Sequence, residues 1–146
     1  MKTKKIGLDF HGVITANPKL FSHLTNIGKT LEHEIHIITG RRITEEFKEQ
    51  LKWFNIYYTH LFSISDYHHK IGTPMTGYDI GQPKIEDEIW NRTKGDYSRE
   101  NDLDLHVDDS QEYGKYFTTP YLLYVQNDKE VVFKVFNLNI YSRTSA

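Results

Sequence analysis

Asp9, Thr39, Lys84, Asp108 and Asp109 are the side chains of this sequence whose types and positions combine into a chemistry. Carboxylates crowded together raise one another's pKa and do not stay ionised without a compensating cation. A hard divalent ion such as magnesium supplies that charge, binding a few carboxylates together with water and substrate phosphate oxygens. Lys84 adds a further positive charge, and the Thr39 hydroxyl offers a donor to an anionic oxygen. Such a set suits phosphoryl transfer, in which catalysis is mostly positioning and charge neutralisation. Taken singly, each residue has a plain reading: turn or cap aspartates, a strand-to-helix threonine, a solvated lysine. Their value lies in convergence.

Convergence depends on the elements that carry them. Lys5 to Phe10 reads as a buried strand ending at His11-Gly12, and Asn17-Pro18 opens a helix with Leu20, Leu24, Ile27 and Leu31 at helical spacing. Glu34 to Thr39 reads as a second strand stopped by Gly40, and Ile43, Phe47, Leu51 and Phe54 mark one face of a helix. Leu61 to Ser65 is a third strand, Pro83 to Thr93 a helix, and Leu103 to Val107 a fourth strand running into Asp108-Asp109. Residues 65–83 read as an irregular insertion. Tyr121 to Gln126 and Glu130 to Phe136 read as two strands around an Asn127-Asp128 turn, a hairpin at the sheet edge. Strands alternating with helices predict one α/β domain over 1–146: a three-layer, Rossmann-like parallel sheet with helices on both faces. In such sheets ligands bind beyond the carboxyl ends of the strands, where Asp9, Thr39 and Asp108-Asp109 fall.

The same residues carry a family likeness. Ile6-Gly7-Leu8-Asp9-Phe10-His11-Gly12-Val13-Ile14-Thr15 resembles the first motif of the haloacid dehalogenase (HAD) superfamily, an apolar strand followed by Asp-x-Asp-Gly-x-x-Thr. Ile37-Ile38-Thr39-Gly40-Arg41 is similar to the second motif, Lys84 matches the third-motif lysine, and Leu105-His106-Val107-Asp108-Asp109-Ser110 looks like the acidic fourth motif. The four occur in family order across residues 6–110. The resemblance implies that Asp9 is a nucleophile forming an aspartyl-phosphate. It implies Mg2+ as cofactor, held by Asp9, the His11 backbone carbonyl, Asp108 and Asp109. It also implies that Thr39 and Lys84 hold the transferring phosphoryl group. One position departs from the pattern: His11 stands where the family's phosphatases usually have the second aspartate, their general acid–base group. Histidine can do that work. It could equally mark weak or different chemistry, as in a HAD-like module that binds a phosphorylated ligand or a protein partner.

The chain leaves little or no room for a substrate-selecting cap, which resembles the minimal-cap members of that family. Arg41 and Arg42 on the rim, with Gly12, Gly40 and His69, are the candidate substrate contacts, as are Tyr67, His68, Lys70 and Tyr78. Two adjacent arginines suit a second phosphate, so the expected substrate is a small phosphorylated molecule, a nucleotide or a nucleic-acid end. A lid supplied by a second copy in an oligomer is compatible with so small a cap. Receiver domains use similar groups, but their paired acids come at the first strand and their lysine at the last. Gly72 to Gly77 has phosphate-loop glycine spacing, yet Tyr78-Asp79 replace the required Lys and Ser/Thr. His33-Glu34-Ile35-His36 lacks the spacing of the zinc-protease helix motif and lies on an expected strand.

Composition bounds the remaining classes. With 146 residues the chain fits one domain. A formal charge of −2, from 18 basic and 20 acidic residues, argues against a general coat for nucleic acid or anionic membrane. The 38% hydrophobic and 14% aromatic content supplies a core. Zero cysteines exclude disulfide scaffolds, thiolate metal sites and cysteine nucleophiles. No segment has the ~20 apolar residues of a membrane span, and a cytoplasmic protein is expected.

Overall fold

The computed structural model describes residues 2–79 and 82–137. In chain order the elements are β1 (Lys5–Asp9), α1 (Pro18–Thr30), β2 (Glu34–Thr39), α2 (Glu45–Trp53), β3 (His60–Ser63), α3 (Ile64–Ile71), β4 (Gly77–Asp79), β5 (Gln82–Lys84), α4 (Asp87–Glu100), β6 (Leu105–Asp108), α5 (Gln111–Gly114), β7 (Tyr121–Leu123) and α6 (Val131–Phe136). Five strands form one parallel sheet in the order β3-β2-β1-β6-β7, flanked by helices, while β4 and β5 make a separate antiparallel ribbon. This is the expected Rossmann-like α/β fold.

The strand sequences alternate between two unlike faces. Ile6 and Leu8, Ile35 and Ile37, and Leu105 and Val107 are fully buried in one apolar cluster with Phe21 and Leu24 of α1, Phe47 and Leu51 of α2, and Val131 and Val135 of α6. The intervening positions are more polar. His36 bonds through Nδ1 to the Tyr97 hydroxyl of α4 at 2.7 Å, and His106 stacks on Phe117 with ring centroids 4.9 Å apart. Because both faces are covered, the strands read as nearly continuous buried runs. The chain builds outward from β1 to β3, then returns through α3 and α4 to place β6 on the other side of β1. Right-handed crossovers put the outgoing and returning helices on opposite faces. The crevice where strand order reverses therefore opens between the carboxyl ends of β1 and β6.

Local signals explain the helix starts. Asn17 accepts a hydrogen bond from the Leu20 amide with Pro18 next to it, as the sequence predicts. Thr44 accepts from the Phe47 amide, and Glu45 and Glu46 lie in the first turn of α2.

Three expectations are corrected. The C-terminal edge hairpin is absent: Tyr121–Leu123 runs parallel to β6, and Val131–Phe136 is a helix. Val131 and Val135 are four residues apart and both buried, so tertiary packing of one helical face overrides the β-propensity of valine. Asp128, expected in a hairpin turn, accepts from the Glu130 amide and pairs with Lys134 at 2.8 Å, fixing that helix at its start. Next, the insertion at 65–83 is largely regular, being α3 followed by the β4–β5 ribbon; Ile80 and Gly81 lie outside the described residues. Finally, the helix expected over Pro83–Thr93 is instead Asp87–Glu100, continuing through Gly95. A Cβ at Gly95 would lie 2.4 Å from the Tyr116 carbonyl oxygen, so glycine there permits close helix–backbone packing and does not end the helix.

Candidate active site

Asp9 is the last residue of β1, Asp108 the last of β6, and Asp109 follows it, so the sheet delivers three carboxylates to the crevice. Their ligand atoms lie within 4.8 Å of one another. Asp9 and Asp108 are buried, while Asp109 is exposed. Gly12, in a left-handed conformation at φ 81°, closes the turn after β1. A Cβ there would fall 1.9 Å from Asp109 Oδ2, so the glycine also makes room for that carboxylate.

The lysine between these acids is Lys94, not Lys84. Lys94 Nζ donates to Asp9 Oδ1 and to Asp108 Oδ2, both at 2.9 Å, and the residue is 1% exposed. Its ammonium also lies 4.6 Å from the Tyr113 ring centre, and the Trp90 indole N–H donates to the Tyr113 hydroxyl. Lys84 is exposed on β5, register partner of Gly77, with its carbonyl accepting from the Thr76 amide. The third-motif assignment to Lys84 is therefore corrected. Closing a ribbon strand rather than opening a helix, Lys84 is fixed outside the acidic cluster, whereas Lys94 lies on the buried face of α4.

Charge at this centre is unbalanced. Burial, reinforced by Asp108 and Asp109, pushes the Asp9 carboxyl up to about 7 although Lys94 pulls the other way. Burial opposes the Asp108 charge too, but the hydrogen bonds from His106 and Lys94 outweigh it and hold that carboxyl well below the usual range. Burial likewise opposes the Lys94 charge, yet Asp9 and Asp108 keep its ammonium more firmly protonated than in water. His106, fully buried, is driven toward the neutral ring; its Nε2 donates to Asp108 Oδ2 at 2.9 Å and its Nδ1 has no hydrogen-bond partner among the described residues. Three carboxylates against one ammonium leave an excess of negative charge. Oxygen donors in this number fit a hard divalent cation such as Mg2+.

The remaining predicted residues divide. Thr39 is buried at the end of β2, and its hydroxyl oxygen accepts from the Arg41 amide at 3.3 Å, leaving its O–H free to donate. His11 is exposed, and Arg41 Nη1 donates to its Nε2 at 3.0 Å. The ring is held below its ordinary pKa by burial and by Arg41, against the opposing pull of Asp109. It is not part of the side-chain cluster of Asp9, Asp108 and Asp109. Gly40 packs against Trp90. Arg42, expected to face substrate, is engaged by Asp66 at 3.0 Å. His68, expected among the substrate contacts, is buried with its two ring nitrogens bonded to Thr73 and Thr93, because the segment folds as α3 against α4. A cavity of about 510 Å³ is lined among others by Arg41, Ser65, His69, Met75 and Trp90; its wall reaches toward the centre through Arg41, bonded to His11, and Trp90, bonded to Tyr113.

Sequence reasoning missed Lys94, His106 as a partner of Asp108, and the Trp90–Tyr113 pair. The available signal was helical spacing: Trp90, Thr93, Lys94, Tyr97 and Ser98 share one stripe once α4 is extended past Gly95. No helix among the described residues is long and apolar enough to cross a membrane. No family model matches the sequence, and a search of curated proteins returns no match.

Proposed function

We propose that the protein is a magnesium-dependent phosphomonoester hydrolase acting through an aspartyl-phosphate on Asp9, as its resemblance to the HAD superfamily implies. The observation that carries this reading is the trio Asp9, Asp108 and Asp109 gathered around a buried lysine where the strand order reverses. A bound magnesium ion would be held by these carboxylates, with the His11 carbonyl, and would neutralise charge on the phosphoryl oxygens. The Asp9 carboxylate attacks phosphorus, the P–O ester bond breaks, and the leaving oxygen takes a proton from solvent. Water then cleaves the acyl phosphate, releasing inorganic phosphate and restoring Asp9. Lys94, in the role first given to Lys84, and the free Thr39 O–H offer positive charge and a donor to the transferring group. Trp90 and Arg41 on the cavity wall favour a substrate with both a flat apolar part and an anionic part, such as a nucleotide or a nucleic-acid end.

His11 fits half of the acid–base cycle. With Arg41 donating to Nε2, the ring is neutral and its one acceptor lone pair is engaged. It can take a proton from water only once Arg41 turns away, and it is poorly suited to protonating a leaving oxygen. That observation favours a second reading, a HAD-like module with weak or no hydrolysis that binds a phosphorylated ligand or protein. A panel of phosphomonoesters with Mg2+, run on the wild type and on Asp9→Asn, separates the two. The hydrolase reading expects turnover that Asp9→Asn abolishes. Magnesium binding without turnover on any substrate supports the module.

A further inference from the structure

We propose a second metal site at the opposite end of the sheet, in which His36, His60 and Glu34 bind a single zinc-class divalent cation. His36 on β2 and His60 on β3 are register partners, and their rings stack with centroids 4.1 Å apart and planes 3° from parallel. Glu34 lies two residues before His36, so strand alternation puts it on the same face. Its Oε1 is 2.9 Å from His36 Nε2 and 3.9 Å from His60 Nδ1. One ligand atom from each residue lies within 4.8 Å of the others.

Tetrahedral zinc, with bonds of roughly 2.0–2.1 Å to nitrogen, holds its donors about 3.4 Å apart. The lone pairs of stacked rings lie in parallel planes, so His60 must rotate out of the stack, and from the 2.8 Å contact of its Nδ1 with the Thr59 hydroxyl, to face the same ion as His36. Its side chain and that of Glu34 are 49% and 41% exposed and leave room for that turn. His36 is the fixed member. It is buried, and the Tyr97 hydroxyl of α4 sits 2.7 Å from its Nδ1, leaving Nε2 directed toward Glu34. A hydrogen-bond partner on the far ring nitrogen is the arrangement that orients metal-bound imidazoles. Lys5, register partner of Glu34 on β1, adds a positive charge that the Glu34 carboxylate offsets. Two imidazoles and one carboxylate select zinc over magnesium, whereas the all-oxygen set at Asp9 selects the reverse. Exposure on one side leaves the fourth position to water. The ion would tie edge strand β3 to β2, with α4 behind them.

The test is titration of Zn2+ into the full-length protein, followed by calorimetry, with Co2+ as a visible-light probe of four-coordinate nitrogen–oxygen ligation. Because Zn2+ also has affinity for carboxylates, the same titration is run on Asp9→Asn. One site is expected that persists in Asp9→Asn and weakens at least tenfold in both His60→Ala and Glu34→Gln. Both of those residues are half-exposed, so the folded state survives their replacement. Tyr97→Phe is expected to weaken binding about tenfold, within the range for losing such an outer hydrogen bond. Zinc binding unaltered by His60→Ala, absent from the wild type, or lost only in Asp9→Asn overturns the proposal.

Discussion

Lys94 is where charge, burial and chemistry meet in a single side chain. Its ammonium donates to two buried carboxylates, so removing it strands their charge in a desolvated crevice. Leaving a buried partner uncompensated typically costs about 3–5 kcal/mol. Lys94→Met is therefore expected to lower stability by about that amount in magnesium-free denaturant melts, and pairing it with Asp9→Asn to restore part of the loss. At His11 the expectation differs. His11→Ala should lower phosphatase turnover by about 10²–10⁴, the usual worth of a general acid–base group, while magnesium affinity by calorimetry stays nearly unchanged. Equal turnover in the two proteins removes His11 from the chemistry. The sequence made Asp9, Thr39, Asp108 and Asp109 visible because each closes a strand, and strand ends are marked by a change from apolar to polar residues. It hid Lys94 because the helix reads as ending at Thr93, and a lysine beyond a helix end is indistinguishable from a solvated one until α4 is seen to continue.

At the scale of elements, α4 decides what the site contains. The helix expected to end at Thr93 leaves Lys94 beyond it, and glycine at 95 does nothing on propensity grounds to extend it. The physical reason for the glycine lies in another segment, the Tyr116 carbonyl packed against it, which only tertiary structure reveals. Gly95→Ala is expected to push α4 away from that backbone and cost about 1–3 kcal/mol as an overpacked contact. Gly77→Ala, with nothing near its Cβ position, serves as the control that changes little. Melts of the two variants check the difference, and turnover should fall in Gly95→Ala because Lys94 precedes it directly. The same tension between local preference and packing explains α6, where valines that favour strands are recruited to a helix. The sheet strands, β7 included, were legible because buried parallel strands are apolar almost throughout; the parallel pairing of β7 and the β4–β5 ribbon carry no such signal.

For the whole molecule, the acidic centre couples stability to pH. Asp9 titrates near 7 in the folded chain against an ordinary 3.8, so the native state holds that proton more tightly than the unfolded state. Its contribution to stability is complete below the ordinary value and is lost as pH rises through about 7. Asp108 is depressed instead, so its contribution is present above the ordinary carboxylate value and is lost as pH falls into the acid range. The metal-free Tm should accordingly fall between pH 6 and pH 8, with each kcal/mol worth about 3 °C. Mg2+ should raise Tm more at pH 8 than at pH 6, and Asp9→Asn should flatten the metal-free slope. Scanning fluorimetry at the two pH values measures all three.

Strand β1 has neighbours on both sides and contributes Ile6 and Leu8 to the apolar face, while its final residue is Asp9. Amide protons in such a central strand exchange only when the entire domain opens. The β4–β5 ribbon, outside the main sheet, belongs to the other extreme and should exchange through small local openings. The proposed nucleophile is thus mounted on the slowest-exchanging part of the molecule, and the ribbon can fray, be nicked or accept inserted residues without loosening it.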